Sequence, residues 1–331
     1  MRQLVAVFSM LLMFQPVAAD ARNILITNDD GLTSNVLALY KTLKAAGHDV
    51  IVSVPCTNQS GKGAALIINP PLGPLEAPCL NNAAQAGEPG AGPMTRSDLG
   101  DDARGDLYYV NGTPVMAALY GLDVLSTKRW NAAPDLVLSG PNEGQNLGAI
   151  VLSSGTVSAA QYAAMRHIPA IALSAGSDTK DPELANPASQ EVAQLANDLV
   201  ALLDKHSNGG AMLPTGLALN VNFPDKLDGA VWKISQIGSY NAYELRMVES
   251  VAKEATPETV AAAKKYGMTL PDLPGLSFGA NTAEPTKNQM NDESVVYRSA
   301  IAVSPMQAGY AMAPASADWL TWALEGFVSG D

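Results

Sequence analysis

The chain has 331 residues and is 47% apolar, enough to bury the core of one large domain with an elaboration or of two smaller ones. Its formal net charge of −12 argues against nucleic-acid polymers and anionic membranes as partners, but not against a small anionic substrate, because a bound divalent cation reverses the local field. Only 16% of residues are charged, which suggests many loops and few long solvated helices.

Met1-Arg2-Gln3, the apolar run Leu4 to Phe14 and the small-residue stretch ending Val17-Ala18-Ala19 follow the order of a secretory signal. The run is too short to span a bilayer. Residues 1–19 are therefore expected to be removed, leaving an exported protein, periplasmic or secreted. Export would permit a disulfide, and the sequence leaves open whether Cys56 pairs with Cys79. Neither cysteine has a histidine close in sequence, which speaks against a catalytic thiol.

The mature chain opens on Asn23 to Thr27, a β-branched apolar run that reads as a buried strand ending in Asn28-Asp29-Asp30-Gly31. Helical spacing over residues 35–46, capped by Gly47, leads to a second strand over 49–54. This βαβ unit predicts a parallel sheet. Residues 73–106 lack periodicity and read as a long surface insertion. A strand at 107–110, a helix over 114–125, a strand at 135–139, a helix over 154–167, a strand at 169–174, a helix over 189–206 and a strand at 217–222 continue the alternation. Beyond Phe223-Pro224 the pattern weakens. A strand at 231–237, a helix at 256–266, a loop over 275–292, an extended segment at 294–304 and a terminal helix at 317–327 are expected. The predicted architecture is an α/β, Rossmann-like three-layer fold with a mostly parallel sheet over residues 20–228. A smaller region over 229–331 is assigned to oligomerisation.

Ligands of open parallel sheets bind beyond the carboxyl ends of the strands. Three polar loops leave such ends: Asn28 to Gly31, then Asn58-Gln59-Ser60-Gly61-Lys62-Gly63, then Ser139-Gly140-Pro141-Asn142-Glu143-Gly144-Gln145-Asn146. Two adjacent carboxylates repel unless a cation or proton lies between them. A hydroxyl and an amide oxygen complete a hard, oxygen-only set that suits Mg²⁺ or Mn²⁺, with Ca²⁺ a further candidate, and does not suit zinc. Each loop alone has the composition of an ordinary turn; the specificity lies in their convergence.

Ile24 to Gly31, Asn58 to Gly61, Val110-Asn111-Gly112-Thr113-Pro114, Ser139 to Asn146 and Ser154-Gly155-Thr156-Val157, in this order and spacing, resemble the motif series of the SurE (survival protein E) family of 5'/3'-nucleotidases and acid phosphatases. The resemblance implies one divalent metal held by Asp29, Asp30, Ser60 and Asn142. It places Asn146, Ser154, Gly155 and Thr156 beside the phosphate and gives Asp29, Asp30 and Asn146 catalytic roles. It implies metal-activated water attack on nucleoside monophosphates and other small phosphate esters, by a homodimer or homotetramer. Cys56-Thr57 stands where the family often has an acidic residue and an arginine, so nucleotide preference is the least transferable part. The competing reading is an exported divalent-cation or solute binding module without catalysis. Metal-dependent phosphate release would separate the two.

Overall fold

A computed structural model describes residues 21–100, 103–265, 267–310, 320 and 322–324. The expected signal segment lies outside them, as does most of the expected terminal helix.

The strands are β1 (Asn23–Thr27), β2 (Asp49–Pro55), β3 (Ala91–Pro93), β4 (Leu107–Val110), β5 (Leu136–Glu143), β6 (Ala170–Ala175), β7 (Leu217–Asn222), β8 (Trp232–Ile234), β9 (Tyr243–Val248), β10 (Gly275–Ala280) and β11 (Ile301–Gln307). Helices α1 (Ser34–Ala45), α2 (Pro114–Leu119), α3 (Ser126–Trp130), α4 (Gly155–Met165), α5 (Pro187–Ser207), α6 (Val251–Glu254), α7 (Pro257–Lys265) and α8 (Glu293–Val296) accompany them. The main sheet runs β3-β4-β2-β1-β5-β6-β7-β11-β8, and β1, β2, β4, β5, β6 and β7 are mutually parallel. From β1 the chain winds outward one way through β2 and β4, then the other way through β5, β6 and β7. The order therefore reverses between β1 and β5, which is where such sheets place their ligands.

Alternation along the strands builds the layers. Ile24, Ile26, Val50 and Val52 pack with Leu39 and Leu43 of α1 and Val192 and Ala196 of α5. Leu25, Ile51 and Val137 face the other way, onto Val157, Ala160 and Ala164 of α4. This is the expected three-layer α/β arrangement.

Several expectations need correction. Residues 73–106 are not merely a surface insertion: Leu75, Cys79, Ala84 and Met94 are buried in the main core, and β3 adds an antiparallel edge to the sheet. Scattered small apolar residues in irregular backbone carry no periodic signal, so the contribution was invisible. The helix expected over 114–125 ends as α2 at Leu119 and continues through a π-helical turn, Tyr120–Leu125, into α3. The loop expected over 275–292 begins with β10, paired antiparallel to β9. Burial alternates along β10 with the usual residue types reversed, Ser277 and Gly279 inside and Leu276 and Phe278 outside, so the pattern that marks a half-buried strand is missing from the sequence. The segment 294–304 is not extended throughout: α8 precedes β11, which pairs antiparallel with β7. The polypeptide after residue 228 thus returns to the main sheet through β8 and β11.

Candidate active site

The three polar loops meet at the reversal between β1 and β5. Asn28 fixes the first: its amide donates to the Gly31 carbonyl at 2.7 Å and its Oδ1 accepts from the Gly31 N–H at 3.1 Å. This clamp aims Asp29 and Asp30 into the crevice, where each is only 3% exposed.

Asp30 joins all three loops. Its Oδ1 accepts from Asn58 Nδ2 at 2.7 Å and from Ser60 Oγ at 3.5 Å, and its Oδ2 accepts from the Glu143 backbone N–H at 2.9 Å. The Gln59 N–H also donates to the Asp29 carbonyl at 2.7 Å, tying the loop after β2 to the loop after β1. Asn142 lies in the part of β5 that runs beyond the expected strand end at 139. Its pairing with β6 shifts between Ser139 and Asn142. Gly140 makes the bend: φ is +114°, and a Cβ there would fall 2.1 Å from the Leu173 carbonyl oxygen, so only glycine fits.

Asp29 points to the start of α4. Its Oδ1 accepts from Thr156 Oγ1 at 2.6 Å. Gly155 permits this closeness, since a Cβ on it would lie 2.6 Å from Asp29 Cβ and 2.5 Å from Pro114 Cγ. Ser154 is the N-cap, its hydroxyl accepting from the Val157 N–H at 3.1 Å. Asn146 is 5% exposed and gives one amide hydrogen to Ser174 Oγ at 2.9 Å. Ser60 and Lys62 are exposed in their loop.

Electrostatics at this place are unfavourable without a cation. Burial, then the Asp30 charge, pushes Asp29 up to about 7 against the pull of the Thr156 hydroxyl and the Gly155 N–H. Burial also raises Asp30, opposed by the Glu143 N–H, the Lys180 charge, Asn58 and Ser60. Glu143 is pushed up to about 7 by burial and then by Asp30, with Lys180 opposing. Asp30 thus faces a carboxyl group on either side, Asp29 and Glu143. Meanwhile Asn142 Oδ1 is buried with no hydrogen-bond partner among the described residues, its Nδ2 being spent on the Gly144 carbonyl at 2.7 Å. An orphaned amide oxygen, on the residue before the one whose N–H binds Asp30, fits a hard cation. No group of three or more His, Cys, Asp or Glu suited to a metal occurs among the described residues. The donors here are mixed instead: two carboxylates, a hydroxyl and an amide oxygen.

Sequence reasoning missed Asn58, Glu143 and Lys180 as participants. Asn58 and Glu143 lie inside the recognised loops, and their neighbours drew the attention. Lys180 follows β6, another strand opening on the same edge of the sheet, and that position was the available signal.

A doubly wound parallel sheet with an oxygen-rich crevice at its reversal point defines an α/β, Rossmann-like protein. The family model described as survival protein SurE matches residues 24–244. An acid phosphatase of Yarrowia lipolytica is 35% identical over 212 residues, covering 61% of this chain and 56% of that protein. The 5'-nucleotidase SurE of Rhodospirillum rubrum is 30% identical over 298 residues, covering 89% of this chain and 94% of that protein. The crystal structure of the SurE protein from Aquifex aeolicus shares the fold, with a TM-score of 0.62 at 24% identity, over 91% of this chain and 99% of that one. The chain belongs to the SurE family. The matched stretch spans little more than half the length of the Yarrowia relative and nearly all of the Rhodospirillum one.

Proposed function

We propose that the protein is a metal-dependent phosphomonoesterase acting on nucleoside monophosphates and other small phosphate esters. The observation that carries this reading is the Asp30 carboxylate, bonded at once to the Ser60 loop and to the Glu143 N–H, with the orphaned Oδ1 of Asn142 on the residue before Glu143. Asp29, Asp30, Ser60 and Asn142 would hold one divalent cation, Mg²⁺ or Mn²⁺ by their hardness, with Ca²⁺ as a weaker choice for turnover. When bound, such an ion supplies charge stabilisation of a phosphoryl oxygen and a more acidic water. The protein supplies the rest. Asn146 retains one amide hydrogen for a phosphate oxygen. The start of α4 brings the positive end of its dipole to the same place, with Ser154, Gly155 and Thr156 fixing its position. Asp29 is the carboxylate best placed to accept a proton from the attacking water, since Thr156 holds its other oxygen still.

Export and self-association complete the proposal. The structure joins Cys56 and Cys79, whose Cα atoms are 4.6 Å apart, and a buried bridge suits an oxidising compartment. The ribbon of β9 and β10 exposes Leu245, Met247, Leu276 and Phe278, an apolar surface suited to pairing between copies in a homodimer or homotetramer. The deciding experiment incubates the protein with p-nitrophenyl phosphate and a panel of nucleoside monophosphates in Mg²⁺ or Mn²⁺, then adds EDTA. Phosphate release that EDTA abolishes is expected. Failure to release phosphate from any ester would leave a binding module in its place.

A further inference from the structure

A carboxylate from the far end of the chain reaches the underside of the site. Glu293 opens α8, far beyond β7 in the chain, and is wholly buried. Its Oε1 accepts from the Gly148 N–H at 3.1 Å, and its Oε2 accepts from Asn220 Nδ2 at 2.9 Å. The same Asn220 Nδ2 donates to the Asn146 carbonyl at 2.9 Å. Asn222 clamps that residue too, with its Oδ1 accepting the Asn146 N–H at 2.8 Å and its Nδ2 reaching the carbonyl at 3.1 Å. One residue past Gly148, the Ala149 N–H donates to Asn241 Oδ1 at 2.7 Å, so a second side chain from the same distal stretch grips the loop. Gly148 has φ +55°, and a Cβ there would lie 2.5 Å from Asn241 Oδ1, so the two pieces of chain sit as close as backbone allows.

We propose that Glu293 is a positioning residue for the phosphate half of the site, acting with Asn241 through the segment Asn146 to Ser153, which leads straight into the N-cap of α4. The inference rests on the phosphatase reading above. Three donors, the Gly148 N–H, Asn220 Nδ2 and the Ser304 hydroxyl, converge on Glu293 from different elements, and its carboxyl oxygens accept from them. Asn220 shows what this demands: its Nδ2 is turned toward Glu293 and Asn146, and its Oδ1 is left buried without a partner among the described residues. Burial raises the Glu293 pKa to about 7 against the pull of the Ser304 hydroxyl, the Gly148 N–H and Asn220, so this buried carboxyl group is held by a converging set of donors. The Gly148 N–H and Asn220 among them belong to the backbone and side chains that set where Asn146 and α4 stand. The metal half has anchors of its own in Asn28, Asn58 and the β5–β6 pairing at Asn142, and the hydrogen bond from Thr156 to Asp29 is its link to α4.

The test is a split between two ligands. Glu293→Gln keeps the shape but sets an amide N–H₂ against one of these donors. Mn²⁺ binding by calorimetry, competitive inhibition by inorganic phosphate, and KM and kcat for p-nitrophenyl phosphate are measured on the full chain, with thermal melting as the check on folding. Expected is a rise of about tenfold or more in the inhibition constant for phosphate and in KM, with the Mn²⁺ dissociation constant within about twofold of the parent. Asn241→Ala, which removes the other anchor without disturbing a buried charge, is expected to move the same constants in the same direction by a smaller factor. Should Glu293→Gln fail to fold, this second variant decides alone. Unchanged phosphate constants in folded variants, or an equal loss of Mn²⁺ and phosphate binding, would overturn the assignment. A parent protein that releases no phosphate and is not inhibited by phosphate would instead sink the functional reading on which it rests.

Discussion

Replacing Asp29 by asparagine should stabilise the metal-free protein while destroying its activity. Asp29 has an ordinary pKa of 3.8 and is pushed up to about 7 in the folded state, mainly by burial and then by Asp30. Between those values the folded protein keeps a proton that the unfolded chain has released. Unfolding free energy therefore falls as pH rises from about 4 to about 7 and stays low above that. At 1.36 kcal/mol per pH unit the climb is worth about 4 kcal/mol. The Asp29→Asn side chain has no charge to bury, and its amide oxygen can still accept from Thr156. The variant and its parent should thus have similar stability at about pH 4.5, close to the unfolded pKa. At pH 8 in EDTA the variant should be more stable by up to about 4 kcal/mol, or on the order of 5 °C in Tm. Adding Mn²⁺ at pH 8 should restore the parent, because the cation takes over the role of the proton, and should do little for the variant. Thermal and urea unfolding at the two pH values, with and without metal, measure all of this. A variant less stable than its parent at pH 8, or displaced equally at both pH values, would refute the claim that Asp29 is a charge held at a cost in order to bind a cation.

Asp30→Asn should abolish turnover and Mn²⁺ binding while leaving the circular dichroism spectrum unchanged; near-normal activity would remove Asp30 from the assigned set. Reduction, or the double substitution Cys56→Ser with Cys79→Ser, opens a loop whose ends are 23 positions apart and should cost about 3 kcal/mol by loop-closure entropy. Because that loop carries Asn58 and Ser60, metal affinity should fall with it, and an unchanged melting temperature would contradict the prediction. Gly155→Ala drives a Cβ to within 2.6 Å of Asp29 Cβ and should lower stability by about 2 kcal/mol and turnover on the order of 100-fold, read from urea unfolding and initial rates.

The parallel core was legible because its signals are local. Ile24, Leu25 and Ile26 form an unbroken apolar run because both faces of β1 are covered, and that run, followed at helical spacing by Val36, Leu39 and Leu43, announces a βαβ unit in any context. The loops carrying Asp29, Asp30, Ser60 and Asn142 were legible for a related reason: a parallel sheet obliges them to open on one edge, and their residue types then name a hard-cation chemistry. The tertiary structure alone decided how those side chains are held. That Asp30 is shared by two other loops depends on the β1–β5 register, and that Asn142 Oδ1 is left without a partner depends on the shift after Ser139. The bridge between Cys56 and Cys79 and the burial of Leu75 and Met94 needed the path of an aperiodic segment. Glu293 belongs to the same class. Its place beneath Gly148 is set by the return of the chain to β7 through β11, a long-range pairing that no local pattern of residues encodes.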